Sequence, residues 1–318
     1  MRRARAAAFP GASHRWRTAV AALAVTLACG GCGLGPGPGT RDVTLTITRG
    51  FGSRVVATVV RRQVPGSETV MRMLERSFRL STRYGGGFVQ TIDGLGPSGP
   101  SSDWFYYVNG VQAPKGAAST SVHAGDSIWW DLHDWRATQS IPAVVGSFPE
   151  PFVSGIGGKR YPVTIECGIG VDSACRTVTD VLDAAHVPAA PQLLGVGSGT
   201  TTLTVVVGTW AQLRAELIAQ LIARGPGASG IYARFVHAGA SLELLDPAGN
   251  VVRRLGAGAG LIAATAGTSG VPTWVVTGTD AAGVQAAARS FNAAALHDHF
   301  ALAVHGSSRL PVPLDPTQ

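Results

Sequence analysis

The run Trp104-Phe105-Tyr106-Tyr107-Val108, followed at once by Asn109-Gly110, constrains the fold more than any other stretch of the chain. Aromatic and β-branched residues side by side favour a pleated, half-buried surface. An Asn-Gly pair turns a hairpin because both residues tolerate positive φ. Alternation sends Trp104, Tyr106 and Val108 to one sheet face and Phe105, Tyr107 and Asn109 to the other. One set is expected to face a helix and form core. The other is left either to present an aromatic platform or to pack on a second domain. Trp N–H and Tyr O–H groups on such a platform would fix the orientation of a flat organic ligand.

The flanking sequence supplies the rest of a small sheet. Val43 to Thr48 alternates with period two and reads as a strand, and Arg54 to Gln63 as a second. Pro65-Gly66-Ser67 breaks the chain, and Ser67 is the expected N-cap of a helix with Glu68 in its first turn. Val70, Leu74 and Phe78 fall on one face of that helix. Phe88 to Ile92 is another strand, and Gly125-Asp126 turns the chain into the last, Ser127 to Leu132. Strand, strand, helix and then several strands is the element order of a β-grasp.

Four landmarks occur in order: Tyr84-Gly85-Gly86-Gly87-Phe88, Ile92-Asp93-Gly94, Trp104 to Gly110, and Gly125-Asp126-Ser127-Ile128-Trp129-Trp130. Together they resemble the transcobalamin-like C-terminal domain, a β-grasp module, over roughly Asp42 to Arg136. In the vertebrate relatives that module closes over one face of cobalamin while a helical barrel holds the other. The resemblance therefore implies ligand or partner binding, with a cobalamin-like corrinoid as the named ligand. Trp104, Tyr106, Tyr107 and Trp129 are the expected ligand-binding residues.

The second half reads as an α/β domain with a mixed or mostly parallel sheet, so the chain as a whole is expected to be α+β. Residues 147–160 are rich in Pro and Gly and read as a linker between residues 42–146 and 161–312, with 313–318 as a tail. Tyr161 to Glu166 is a strand, and Val178, Val181, Leu182 and Ala185 mark an amphipathic helix. Thr202 to Val207 is a strand followed by a helix carrying Leu213, Leu217 and Leu221 on one face. Ser241 to Leu245 and Val251 to Leu255 flank a hairpin-like turn at Asp246. Thr273 to Thr277 leads into a helix with Val284, Ala287, Ala288 and Phe291 on one face, and Phe300 to Val304 closes the domain. Gly208-Thr209 and Gly278-Thr279 each join a strand to a helix, the Gly for the turn and the Thr as cap.

The amino terminus places all of this outside the cytoplasm. Arg2, Arg3, Arg5, Arg15 and Arg17 precede the apolar run Thr18 to Ala28, the parts of a secretory signal over residues 1–28. The run is too short to span a bilayer, which takes about 20 residues. Thr26-Leu27-Ala28-Cys29 resembles a lipoprotein signal, with Cys29 the lipidated residue and Cys32 the second candidate. Residues 29–41 then read as a Gly/Pro tether. Without the five leader arginines, 21 basic residues face 19 acidic ones, a net charge of +2 instead of +7. No nucleic-acid footprint survives that correction. Scarce lysine amid abundant Ala, Gly, Val and Arg suggests a GC-rich, actinobacterial type of genome.

Cys167 and Cys175, the only other cysteines, are expected to form a local disulfide in an oxidising compartment. Catalytic motifs are missing. The glycine-rich stretch 256–260 lacks both the dinucleotide fingerprint and the P-loop lysine. No Gly-x-Ser-x-Gly marks a nucleophile. His297-Asp298-His299 offers two imidazoles to a metal but no third ligand, and Asp131, His133 and Asp134 read as polar residues at a strand end. The expectation is a non-catalytic lipoprotein without cofactor, metal or nucleic acid. It would hold a small organic ligand for uptake, with a transporter or envelope protein as possible partner. The alternative is a structural or adaptor protein of the envelope.

Overall fold

The structure is a computed structural model that describes residues 41–267 and 270–315. The signal, Cys29 and Cys32 lie outside the described residues. The first half contains β1 (Val43–Arg49), β2 (Arg54–Arg61), α1 (Val70–Ser77), β3 (Leu80–Arg83), β4 (Phe88–Ile92), β5 (Ser102–Val108), β6 (Val111–Gln112) and β7 (Ser127–Asp134). Its five-stranded sheet has the order β2-β1-β7-β5-β6, with β3 and β4 as a separate ribbon. β1 pairs parallel with β7, and the other contacts in that sheet are antiparallel. The Asn109-Gly110 turn forms as expected, with both residues at positive φ.

The second half contains β8 (Val163–Cys167), α2 (Asp172–Ala184), β9 (Ala189–Leu193), β10 (Leu203–Thr209), α3 (Trp210–Leu213), α4 (Leu217–Ala223) and α5 (Pro226–Ser229). It continues with β11 (Ala233–Val236), β12 (Ser241–Leu245), β13 (Val251–Leu255), β14 (Ala259–Ala266) and β15 (Pro272–Gly278). It ends with α6 (Ala281–Arg289), α7 (Ala293–Leu296), β16 (Ala301–His305) and β17 (Ser308–Val312). A seven-stranded sheet runs β17-β16-β14-β15-β10-β8-β9, and β11 to β13 form a small antiparallel one. β15, β10, β8 and β9 are mutually parallel and the remaining pairs antiparallel, so the large sheet is mixed. The chain is thus α+β. Cys167 and Cys175 are joined in a disulfide between the end of β8 and α2.

Three apolar clusters hold this together. α1 buries Val70, Met71, Met73 and Leu74 against Leu45, Ile47, Ile128 and Trp130 on one face of the first sheet. α2 and α6 cover one face of the seven-stranded sheet through Val178, Leu182, Val284 and Ala287. Glycine permits that approach: a Cβ on Gly260 would lie 2.3 Å from Gly283 O, and one on Gly283 would lie 2.2 Å from Ala259 O. Within the glycine-rich stretch it is therefore Gly260 that packs, whereas a Cβ on Gly256 or Gly258 would meet nothing within 4 Å. The third cluster joins Phe51, Tyr107 and Trp129 of the first sheet to Val206, Val275 and Phe300 of the second. Residues 147–160 also carry core side chains, since Phe148 and Phe152 pack on Trp274 and Phe291.

Local details differ from the sequence reading in three places. The cap of α1 is Thr69, whose side chain accepts from Arg72 N at 3.3 Å; Ser67 instead sits in the turn closed by Glu68 N donating to Pro65 O. The helix expected around Leu213, Leu217 and Leu221 is two short helices, because Glu216 adopts extended backbone between them. Ile218 and Ile222 supply its buried stripe, while Leu217 is exposed. Finally, Asp280 caps α6 by accepting from Gly283 N, whereas the Thr279 hydroxyl bonds Gly256 and Ala259 of the neighbouring loop.

Candidate functional site

The aromatic strand β5 is packed on both sides. Trp104 is buried with Val108 and Tyr106 in the layer under α1, and Tyr107 is fully buried on the opposite face beside Trp129 and Phe300. Trp129 donates its indole N–H to Thr48 Oγ1 at 2.7 Å. The open platform that alternation allows is therefore not formed at Trp104, Tyr107 or Trp129. The physical reason is that each face has its own apolar cover, α1 on one side and the second sheet on the other.

Tyr106 is the exception among the four. Its ring stacks on Trp130 with centroids 4.8 Å apart. Its hydroxyl reaches the sheet edge, where it donates to Lys115 O and shares a 2.9 Å hydrogen bond with Thr120 Oγ1. Burial raises the pKa of that phenol. Tyr106 thus fixes the 115–120 loop, and that loop is a wall of the most apolar cleft among those described.

The cleft consists of two adjoining hollows, of about 330 and 470 Å³, on either side of Val111 to Pro114. Val108, Val111, Pro114 and Ile156 give the first hollow its apolar surface, with Lys115 and His123 as its basic groups. The second is bounded by Pro142, Tyr161, Ala266 and Val271 and has Gln112 and Ser140 as polar members. Ser140 Oγ donates to Gln112 Oε1 at 2.7 Å, and Lys159 Nζ lies 4.9 Å from the centre of the Tyr161 ring.

Asn109 holds the cleft's parts in register. It is fully buried at positive φ. Its amide donates to Asp126 Oδ1 and to Gly155 O, each at 2.8 Å, and its Oδ1 accepts from Ser127 N at 2.8 Å. Asp126 Oδ2 accepts from His123 N at 2.7 Å. One side chain therefore ties the β5–β6 turn to the His123 turn and to the loop that carries Ile156. The sequence marks Asn109 as a turn residue; its role as a tie appears only when distant loops are brought together.

Other polar candidates are placed differently. The Asp131 carboxylate accepts from Phe51 N at 3.0 Å, Gly52 N at 2.9 Å, the Thr48 hydroxyl, and His133 Nδ1 at 2.8 Å. His133 lies between the Phe51 and Phe105 rings, 4.5 and 4.4 Å away. These two residues, expected only as polar residues at a strand end, are buried cement for the β1–β2 turn. β7 extends two residues further than expected, and alternation from Trp129 carries Asp131 and His133 inward. Asp134 bonds Ser101 and Arg136, which hold its carboxyl below the usual range despite some burial. His297 pairs with Asp298 at 3.0 Å, while burial lowers the pKa of His299. Among the described residues, no group of three or more His, Cys, Asp or Glu is placed to hold a metal ion.

Over residues 67–134 the chain is similar to a family described as a domain of unknown function (DUF4430). That stretch runs from the turn before α1 through β7 and includes Tyr106, Asn109 and the 111–123 side of the cleft. Among solved structures, the chain is similar to a candidate metal-binding protein from Ruminococcus gnavus ATCC 29149, at 19% identity and a TM-score of 0.24. That match covers 30% of this chain and 97% of the other. No curated protein matches.

Proposed function

We propose that this protein is a non-catalytic, lipid-anchored binding protein of the cell exterior that holds a small organic ligand in the cleft beside Val111 to Pro114. The cleft is the observation that carries the reading. Ligand sites are concave and mostly apolar, with a few convergent polar groups, and this one combines valine, proline and isoleucine walls with Lys115, His123 and Gln112. The order β2-β1-β7-β5-β6 with α1 on one face supports the β-grasp and transcobalamin-like reading of residues 42–136. A corrinoid is accordingly the first ligand to test. It is broader than either hollow, so the cleft would grip one edge of it and leave the rest for a second partner. Lipidation at Cys29, with Cys32 as the alternative, would keep the site at the membrane surface, beside a transporter for uptake.

A thermal-shift screen of the full chain with corrinoids and other small metabolites tests this. Ligand at about 100 times its Kd adds about 2.7 kcal/mol of stability, a shift of several degrees. The shift should vanish in Ala113→Trp, which fills the ridge between the hollows, while that variant's own melting temperature stays close to the parent's. If no small molecule shifts the melting temperature, or if Ala113→Trp leaves the shift intact, the cleft is not the ligand site.

A second reading, an envelope adaptor that binds another protein, is favoured by a separate feature at the opposite edge of the same sheet.

A further inference from the structure

β2 ends the five-stranded sheet, and among the described residues no strand pairs with its outer side. It is eight residues long and contains no proline. Three of its valines are exposed: Val55 by 50%, Val56 by 46% and Val60 by 55%. Ala57 and Val59 pack towards α1, so Val56 and Val60 lie on the opposite face. A long apolar edge with unpaired N–H and C=O groups is a template for another strand. Natural edges are usually blunted by lysine, proline, an inward charge or a bulge. No lysine, proline or charge stands between Arg54 and Arg61, and the register shift at Val56, opposite Ile47 and Thr48, leaves residues 57–61 in regular pairing.

The charges at its ends indicate what kind of strand would fit. Arg49 stands directly opposite Arg54 across the β1–β2 hairpin. Arg61 and Arg62 stand at the far end, where the Arg61 guanidinium donates to Arg76 O and Ser77 Oγ. None of these four exposed arginines forms an ion pair among the described residues. Like charges placed opposite each other in a sheet are destabilising. Arg54 and Arg61 are seven residues apart, which sets the two cationic ends about 23 Å from each other. At the Arg61 end, a hollow of about 360 Å³ bounded by Pro65, Met73, Glu68 and Arg76 gives room for an incoming side chain.

A second copy of the chain would bring Arg54 and Arg61 of both copies together along one edge. An anionic lipid surface would neutralise the arginines but leave the strand's hydrogen-bonding groups unmatched. We propose that the edge of β2 docks an extended segment of a partner protein, apolar in its middle and acidic at both ends, which adds to the sheet as a further strand. Backbone pairing would supply affinity, while the arginines at the two ends would select charge and register.

The probe is a fluorescein-labelled peptide of alternating valine and threonine with paired glutamates at each end, titrated into the full chain and followed by anisotropy. Saturable binding is expected, about tenfold or more tighter than that of the same peptide with lysines at its ends. The amides of residues 54–61 should gain hydrogen-exchange protection in the complex. The exposed double variant Arg54→Glu with Arg61→Glu should reverse the preference between the two peptides with only a small loss of melting temperature, from the exposed bonds of Arg61 to Arg76 O and Ser77 Oγ. Absence of saturable binding overturns the proposal, as does indifference to end charge or protection that appears elsewhere. Sedimentation showing a dimer closed through β2, or binding to phosphatidylglycerol vesicles without competition from the peptide, would overturn it in favour of the other occupants.

Discussion

The five-stranded sheet has two edges, and they are built in opposite ways. At β6, the chain covers its own edge: Gln112 N donates to Pro142 O, Val144 N donates to Gly110 O, and Val111 bridges Ala143. Val145 N then reaches Phe300 O, so the covering segment is stitched to the second half of the molecule. At β2, no strand among the described residues pairs with the outer side, and three exposed valines line it. The covered edge encloses a cleft suited to a small molecule, whereas the bare edge offers a ladder suited to a strand. The contrast shows that sheet position alone does not assign function; what decides it is whether the chain returns to pair with its own edge.

The largest expected break in this comparison comes from Asn109→Ala. The substitution removes three buried hydrogen bonds, leaves an Asp126 carboxylate oxygen without its donor, and forces alanine into positive φ. Hydrogen bonds of this kind contribute about 1 kcal/mol each, and left-handed backbone costs alanine about 1 to 2 kcal/mol more. Urea unfolding should therefore show a loss of about 3 kcal/mol or more. Because the tie spans the His123 turn and the Ile156 loop, ligand binding at the cleft should weaken while peptide binding at β2 is retained. Loss of both together would mean that the two edges are not independent.

Glu150 offers a smaller, pH-dependent test on the covered side. Its carboxylate accepts from Ser154 N at 2.7 Å and from Ser154 Oγ at 2.6 Å, and Ser154 Oγ also lies 3.0 Å from Gly125 O beside the Asn109 tie. Burial raises its pKa above the usual 4.5, more than the Ser154 bonds lower it. With a folded-state pKa above the unfolded one, the native state holds the proton more tightly. That contribution to stability is full below the unfolded value and is lost as pH rises through the folded one. Melting temperatures of Glu150→Gln and parent, compared from about pH 4 upwards, should diverge in favour of the variant as pH rises. A difference that is flat with pH would show that Glu150 is not held in this way.

Much of the scaffold was legible in the sequence. Period-two alternation placed β1, β-prone aromatic content placed β5, the Gly125-Asp126 turn placed β7, Asn109-Gly110 placed the hairpin turn, and the Gly-Thr junctions placed β10 and β15 before their helices. These signals are local, so they survive without tertiary knowledge. The cleft is a different case. Val111, His123, Ile156, Tyr161 and Val271 share no spacing or motif, and they meet only because a buried asparagine and the 142–145 segment draw their loops together. Trp104, Tyr107 and Trp129 illustrate the opposite limit. The family resemblance marks them as binding aromatics, but which faces are covered depends on the second sheet, and no strand pattern states that a second sheet will close over the first.

The smallest effect on stability, and the sharpest on the comparison, is expected from Val56→Thr combined with Val60→Thr. Threonine is nearly isosteric with valine and equally at home in a strand. Both side chains are about half exposed, and surface changes away from caps, cores and networks usually stay within about 0.5 kcal/mol. The parent and variant should therefore unfold at nearly the same urea concentration. Peptide affinity at β2 should nevertheless fall, because the apolar contact across the new strand pair is lost while the arginines and the backbone ladder remain. Glutamate-ended peptide should still be preferred over lysine-ended peptide, at lower affinity for both. If affinity is unchanged, charge and backbone alone carry the docking and the valines are incidental. If stability drops by more than about 1 kcal/mol, the valines belong to the core and β2 is not a bare edge at all.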